Sequence, residues 1–216
     1  MSNDKIRRSC VDCTIHSCRQ EDGFYPDFCP TAAMTEGRPE EVFDEALNLY
    51  LDDDENNSVA IAAAEVEFEN YCKLTRVEEI IEFAKKIGAR KLGIAACVGL
   101  SKEAAIAAKI FRNRGFEVYG TACKIGAVPK IAIGLDFTHE TLGKNMCNPI
   151  LQAKVLNEEK TDLNIVIGLC VGHDSLFYKY SDALCTTLIT KDRVLGHNPA
   201  VALYQAESYY KRLLDL

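Results

Sequence analysis

The sequence lacks any apolar stretch that could cross a membrane, since no hydrophobic run approaches the roughly 20 residues that a bilayer requires. No export signal is expected either, because most of the first eight residues are polar or charged and cysteines follow closely. Low-complexity tracts are missing, and an apolar fraction of 48% is that of an ordinary globular protein. These features predict a cytoplasmic protein that has no membrane partner.

The charge distribution excludes a nucleic-acid partner. The net charge is −7, and residues 36–55 hold nine acidic residues against one arginine, so the remainder is nearly neutral. That remainder shows no basic stripe with interleaved aromatic residues, which is the usual footprint of a nucleic-acid interface. The acidic stretch is expected to be a solvated helix face and the turn that follows it.

Ten cysteines are an unusual number for a chain without an export signal. A reducing cytosol disfavours a disulfide framework, so metal-binding or catalytic thiols explain the cysteines better. Residues 1–35 form a segment with few large apolar residues, which predicts that bound metal holds it together. The expected ligands follow the spacing C-x2-C-x4-C-x10-C-P and are Cys10, Cys13, Cys18 and Cys29.

Four thiolates suit either zinc or an iron–sulfur cluster. The terminal Cys29-Pro30, like the cysteine–proline end of ferredoxin cluster motifs, favours the cluster, and zinc is the alternative. His16 lies within the motif and could replace one thiolate. The segment is therefore predicted to be a metal site whose ion the sequence does not identify.

Two regions of different periodicity follow this segment. Residues 36–88 repeat apolar side chains at helical spacing, which predicts three helices packed on the body. The second helix is expected to bury a stripe formed by Ile61, Ala64, Phe68 and Tyr71.

Residues 89–216 alternate strands, expected near 91–97, 116–123, 163–170 and 183–190, with helices. The last helix is expected to begin at Asn198-Pro199 and run to the C-terminus. The pattern predicts an α/β domain with a parallel, doubly wound sheet of Rossmann or flavodoxin-like type.

A second set of cysteines lies where the predicted strands end. Cys97, Cys123 and Cys170 close the first three strands, and Cys147 precedes a helix that begins at Asn148-Pro149. Because ligands of parallel sheets bind at the carboxyl ends of the strands, the four thiols are expected to share one crevice. We expect them to bind a cofactor, with Asn148 orienting the bound group.

Catalytic roles are expected for Cys147, Cys170 and His173, the histidine as an acid–base group or ligand. The loop Lys191–Pro199 should also reach the crevice if the strand order is the expected one, although a surface loop with a capping Asn198 is slightly favoured. The simpler alternative is that strand-end cysteines are only packed in the core, as cysteines often are, and that Asn148 is only a helix cap.

Three long motifs in the chain resemble a known family. They are Met146–Ile150, Gly168–Phe177 and Lys191–Pro199, and the N-terminal C-x-x-C and Tyr25–Pro30 are similar as well. The resemblance is to the domain-of-unknown-function family 1847, a family of cysteine-rich, predicted metal-binding proteins. It implies metal binding and an α/β body, but it supplies no reaction.

Three functions are compatible with these observations. In the first, the protein carries an iron–sulfur cluster and performs redox or sulfur chemistry at the strand ends, with a redox partner protein. In the second, a structural zinc knot is attached to a binding or regulatory module. In the third, the protein is a metallochaperone or metal sensor. The sequence does not decide whether the protein is an enzyme, and it does not indicate an oligomeric state.

Overall fold

The structure is a computed structural model, and it describes residues 8–20, 23–35, 40–135 and 143–214. The chain divides into two compact units, Met1–Ile61 and Ala62–Leu216. The predicted division at residues 35/36 and 88/89 stays a prediction. Within the described ranges, no helix combines the length and the apolar character needed to cross a bilayer.

The first unit contains short helical elements and no buried residue among those whose burial is described. A 3₁₀ turn Cys10–Asp12 is followed by a second, Ser17–Arg19, and then by α1 (Pro30–Thr35) and α2 (Glu40–Leu51). Asp53 caps the next helix, because its Oδ1 accepts the backbone N–H groups of Glu55 and Asn56 at 2.9 and 3.0 Å. Part of the acidic stretch therefore serves as a helix cap.

Helix α3 (Asp54–Asn70) begins in the first unit and ends in the second. The prediction that this helix buries the stripe of Ile61, Ala64, Phe68 and Tyr71 is wrong. Phe68 is 88% and Tyr71 70% exposed, and the other two residues are exposed as well. The helix instead buries Ala62 and Val66. Apolar residues surround most of this helix, so spacing alone could not identify the buried face.

Helix α4 (Arg76–Lys86) follows the sequence more closely. A capping box begins this helix, because the backbone N–H of Thr75 donates to Glu78 Oε2 at 2.8 Å. Ile80, Ile81 and Ala84 are buried on one face of the helix. Its last residue, Lys86, contacts Glu65 at 2.7 Å and Glu69 at 3.1 Å on α3.

The second unit is built on a parallel sheet of four strands in the order β2-β1-β3-β4. The strands are β1 (Lys91–Ala96), β2 (Glu117–Ala122), β3 (Leu163–Ile167) and β4 (Leu184–Ile189). All four fall where the sequence predicts them. The register pairs Ala96 with Ala122 and with Ile167, so the carboxyl ends of β1, β2 and β3 are level.

Helices cover both faces of this sheet. One face packs against α4 and α5 (Ser101–Asn113), where the side chains of Ile81 and Phe111 are fully buried. The other packs against α6 (Pro149–Glu158) and α7 (His173–Tyr180), where Leu156 and Phe177 are fully buried. Alternate residues of the central strands face the two layers, as the two-residue repeat of a strand requires. The α/β class is therefore confirmed.

The last helix is shorter than predicted. Helix α8 spans only Ala200–Tyr204, and turns and a 3₁₀ turn Lys211–Leu213 follow it. The large side chains of Leu203, Tyr204 and Tyr209 are at least 74% exposed. Because these residues pack little of their surface, apolar spacing was a poor guide to helix length here.

Candidate thiol site

Four cysteines lie at the carboxyl edge of the sheet, and we call Cys97, Cys123, Cys147 and Cys170 the thiol edge. Cys97 and Cys123 directly follow β1 and β2, and Cys170 lies three residues beyond β3. Cys147 precedes the cap of α6, and the next backbone N–H, that of Asn148, donates to the carbonyl of Cys123 at 2.8 Å. The edge therefore collects thiols from four separate segments.

Cys97 and Cys123 are adjacent in space. The register of β1 and β2 extends to them, because the N–H of Cys123 donates to the carbonyl of Ala96 at 2.8 Å. Neighbouring strands lie about 4.8 Å apart. Both cysteines are buried, at 8% and 4% exposure, and belong to the same hydrophobic cluster facing α6 and α7. Their side chains therefore share one face of the sheet.

The environment separates the acidities of these two thiols. Burial, together with the nearby Cys147 and Cys97, raises the pKa of Cys123 to about 12, against the effect of a hydrogen bond from the backbone N–H of Val98. Burial also acts to raise the pKa of Cys97, but the N–H of Gly99 and the ammonium of Lys191 outweigh it. Cys123 adds a hydrogen bond to Cys97 in the same direction. The pKa of Cys97 consequently lies below its usual value.

Lys191 and Arg193 bring two positive charges to the thiol edge. Lys191 Nζ lies 3.4 Å from Cys97 Sγ, and Arg193 Nη2 lies 2.9 Å from Cys170 Sγ. The lysine reaches Cys97 over Gly168, where an added Cβ would lie 3.7 Å from Lys191 Cδ. Each cation therefore contacts one thiol directly.

The loop that carries these cations is held by its own hydrogen bonds. Asp192 Oδ1 accepts the backbone N–H groups of Val194 and Leu195, both at 2.8 Å. The backbone N–H of Asp192 donates to His197 Nδ1 at 3.1 Å, so the imidazole of His197 stabilises the loop. The loop therefore lies against the thiol edge, where two of its side chains contact thiols.

His173, Lys124 and Asn148 surround the thiols in different ways. His173 is the first residue of α7, and burial lowers its pKa, with the charges of Lys124 and Arg193 acting in the same direction. Lys124 Nζ donates to the carbonyl of Asn145 at 2.7 Å. Asn148 Oδ1 accepts the N–H of Leu151 at 3.1 Å, so its side chain is occupied as a helix cap.

Gln152 joins the ends of β1 and β2 from α6. Its Nε2 donates to the carbonyl of Thr121 at 2.9 Å and to that of Ala96 at 3.3 Å. The side chain is fully buried, and its Oε1 has no hydrogen-bond partner among the described residues. Gln152 thus holds together the two strand ends that carry Cys97 and Cys123.

The four N-terminal cysteines lie in the first unit. Cys10, Cys13, Cys18 and Cys29 line one cavity of about 60 Å³ together with His16. The backbone N–H of His16 contacts Cys13 Sγ at 3.5 Å. A hydrogen bond from the backbone N–H of Ala32 lowers the pKa of Cys29, which immediately precedes α1.

Neither cysteine set forms a ready-made metal site. In the part of the chain that the structure describes, no three His, Cys, Asp or Glu side chains are grouped as metal ligands. None of the ten cysteines is in a disulfide. Metal binding therefore stays a prediction.

Sequence reasoning missed three of the residues around the thiol edge. Lys191 and Arg193 lie in one of the motifs that carry the family resemblance, but as polar loop residues they give no signal of a thiol contact. Gln152 lies in the first turns of α6, four residues after the capping Asn148, and only the fold reveals its two carbonyl partners.

Comparisons with known proteins agree with the resemblance found in the sequence. Residues 33–188 match the family described as "Protein of unknown function (DUF1847)". The Uncharacterized protein MJ0455 of Methanocaldococcus jannaschii is 49% identical over 162 residues, which cover 75% of this chain and 83% of that protein. The family match begins after the N-terminal cysteines and ends before Lys191. The resemblance of the N-terminal cysteine segment and of Lys191–Pro199 to the family therefore stays an expectation. With more than two thirds of its length matched, the chain belongs to the DUF1847 family.

Proposed function

We propose that the protein performs thiol-dependent redox chemistry at the thiol edge, with Cys97 as the attacking thiolate and Cys123 as its partner. The observation that carries this proposal is the pairing of Lys191 Nζ with Cys97 Sγ at 3.4 Å beside a second, protonated thiol. Two adjacent titratable groups with pKa values driven apart are typical of an acid–base or nucleophilic site.

The register of the strands supports a disulfide between these two residues. Adjacent parallel strands bring their Cα atoms to about 5 Å. Disulfides need a Cα separation of about 4.4–6.8 Å. Cys97 and Cys123 follow the paired residues Ala96 and Ala122. The pair can therefore close without a large movement of the backbone.

The proposed reaction uses a small disulfide as the oxidant. The Cys97 thiolate attacks one sulfur, the S–S bond breaks, and the leaving sulfur departs as a thiolate that takes the proton of Cys123. Cys123 then attacks Cys97 Sγ, which forms the protein disulfide and releases the second half of the substrate as a thiolate. Two electrons pass from the cysteine pair to the substrate, and a dithiol protein is the class of partner that would reduce the pair again.

The other members of the thiol edge have supporting roles in this proposal. Cys170, paired with Arg193, is half-exposed and lies nearer to solvent than the buried pair. Cys147 lies beside Cys123 and is the alternative resolving thiol. His173, whose pKa is lowered, is a neutral imidazole that can accept a proton from a thiol and, once protonated, pass it to a leaving thiolate.

The test is to oxidise the protein with a small neutral disulfide and map the product. Fully reduced protein is mixed with hydroxyethyl disulfide, quenched with acid and alkylated, and its peptides are analysed by mass spectrometry. We expect a Cys97–Cys123 disulfide and two released thiols per chain, and neither in Cys97→Ser. Cys185→Ser is the matched control, because Cys185 is a half-buried thiol of β4 whose Sγ donates to the carbonyl of Ala183 and not to a residue of the thiol edge. If Cys97 and Cys123 stay reduced after prolonged exposure to hydroxyethyl disulfide, the proposal is wrong.

We also infer that the sheet is doubly wound, of Rossmann or flavodoxin-like type. Its strand order and the helices on both faces support this. In such sheets the crevice lies where the strand order reverses, which here is between the ends of β1 and β3. The loops that follow those strands carry Cys97 and Cys170.

For the N-terminal unit, we propose that Cys10, Cys13, Cys18 and Cys29 hold an iron–sulfur cluster, with zinc as the alternative. Four soft sulfur donors that line one cavity fit either group. The absence of buried residues in the described part of this unit supports the view that bound metal contributes to its folding. Binding would draw the four sulfurs together, as expected when metal binding and folding are coupled. A cluster would supply one-electron transfer, whereas zinc would serve only as a structural support.

Elemental analysis of anaerobically prepared protein separates these alternatives. We expect iron and labile sulfide, a visible absorption band, and the loss of all three in Cys13→Ser. Cys72→Ser, which removes an exposed thiol outside the cavity, should keep them. Zinc without labile sulfide would mean that the four cysteines hold a structural zinc ion and not a cluster. A protein without any metal would contradict metal binding altogether.

A further inference from the structure

Three basic side chains converge on the thiol edge from two segments, the loop after β4 and the residue after Cys123. Lys191 contacts Cys97, Arg193 contacts Cys170, and Lys124 directly follows Cys123. Lys124 and Arg193 both act on His173, which places them around the same imidazole. Within the described ranges none of the three forms a salt bridge with a carboxylate.

The nearby carboxylates are occupied by backbone groups. Asp192, between two of the cations, accepts the N–H groups of Val194 and Leu195. Asp174, beside His173, accepts the N–H of Ser175 at 2.8 Å. Both carboxylates keep their negative charge, but the three cations outnumber them at this edge of a chain whose net charge is −7. The N-termini of α6 and α7 face the same edge and add to the positive potential.

On the basis of the proposed function, we infer that the thiol edge takes a small anionic sulfur compound as its oxidising substrate. Such a compound carries a sulfonate, a carboxylate or an anionic sulfur chain next to an electrophilic sulfur atom. Arg193 and Lys124 hold the anionic group, and Lys191 keeps Cys97 ionised for attack. Because Cys97 and Cys123 are 8% and 4% exposed, the reacting sulfur must be at a slim, accessible end of the molecule.

A matched pair of thiol reagents tests this charge preference directly. Sulfonatoethyl methanethiosulfonate is anionic, and trimethylammonioethyl methanethiosulfonate is cationic. In both reactions the thiolate attacks the sulfenyl sulfur, a protein–reagent disulfide forms, and methanesulfinate leaves with the electron pair of the broken S–S bond. The modification rate of Cys97 is measured by peptide mapping and divided by the rate of the same reagent with free cysteine.

At low ionic strength we expect the anionic reagent to react at least about tenfold faster than the cationic one, in the range of electrostatic steering. The preference should fall towards one at high salt, because exposed charges are screened. Lys124→Met and Arg193→Met should each reduce the ratio of the anionic to the cationic normalised rate. Lys109 is an exposed lysine on α5, and Lys109→Met should leave this ratio unchanged. The ratio cancels any change in the thiolate fraction of Cys97, which affects both reagents equally.

The outcomes separate this inference from the proposed function. If Cys97 reacts with both reagents at equal normalised rates, or faster with the cation, the inference of an anionic substrate is wrong and the reactive thiolate stands. If neither reagent modifies Cys97 in the folded protein, the proposed function itself fails. The salt dependence of the native protein tests the charge preference without any substitution.

Discussion

The difference in acidity between Cys97 and Cys123 leads to a specific prediction for alkylation as a function of pH. Only the thiolate reacts, so the rate follows the ionised fraction. With its pKa raised from 9.0 to about 12, Cys123 has a thiolate fraction about a thousandfold lower than an unperturbed thiol at neutral pH. Cys97, whose pKa is lowered, should be ionised before an unperturbed thiol is.

The assay is partial alkylation with iodoacetamide across a pH series, followed by mass spectrometry of each cysteine peptide. The labelling rate of Cys97 should rise with pH and level off at a lower pH than that of an unperturbed thiol. That of Cys123 should rise tenfold per pH unit to beyond about pH 10 without levelling off. Burial alone can make the labelling of Cys123 slow. The informative quantity is therefore the slope of the labelling rate against pH. Identical pH profiles for the two thiols would refute the reasoning.

Three further predictions test the arrangement. Lys191→Met should shift the labelling profile of Cys97 to higher pH, because the positive charge that favours its thiolate is removed. The raised pKa of Cys123 favours the protonated folded state, so the free energy of unfolding should fall as pH rises from about 9 towards 12, by up to about 4 kcal/mol. Urea titrations of native protein and Cys123→Ala should show a smaller loss in the variant, and equal losses would contradict this. Gly168→Ala should lower the free energy of unfolding by about 2–5 kcal/mol. The φ angle of this residue is +65°, and the added Cβ would lie 2.0 Å from Cδ1 of Leu100. Gly134→Ala, at φ +78° with nothing within 4 Å, should cost only about 1–2 kcal/mol, and a similar cost at both positions would contradict the close approach.

The sequence predicted the sheet well because its strands carry a direct signal. The two central strands, β1 and β3, are short and largely apolar runs that are buried on both faces. A parallel sheet then places Cys97 and Cys123 at one edge without further information. By contrast, α3 has apolar residues around most of its circumference, so the buried pair Ala62 and Val66 could not be distinguished from the exposed stripe.

The charged contacts of the site depend on tertiary structure and could not be predicted. Lys191 follows the edge strand β4, yet it crosses β3 at Gly168 to reach Cys97 after β1. That path exists only because Gly168 has no side chain and because Asp192 and His197 hold the loop. Neither condition is visible as a spacing in the sequence.

The ionisation of Cys97 is the central claim, and an ultraviolet difference titration tests it most directly. The thiolate absorbance of folded native protein is recorded against pH, and the titration of Cys97→Ser is subtracted from it. A difference that rises below the ordinary thiol pKa and disappears on unfolding is the expected result. If the difference rises at or above the pKa of an unperturbed thiol, Cys97 is not held as a thiolate by Lys191 and the account is contradicted.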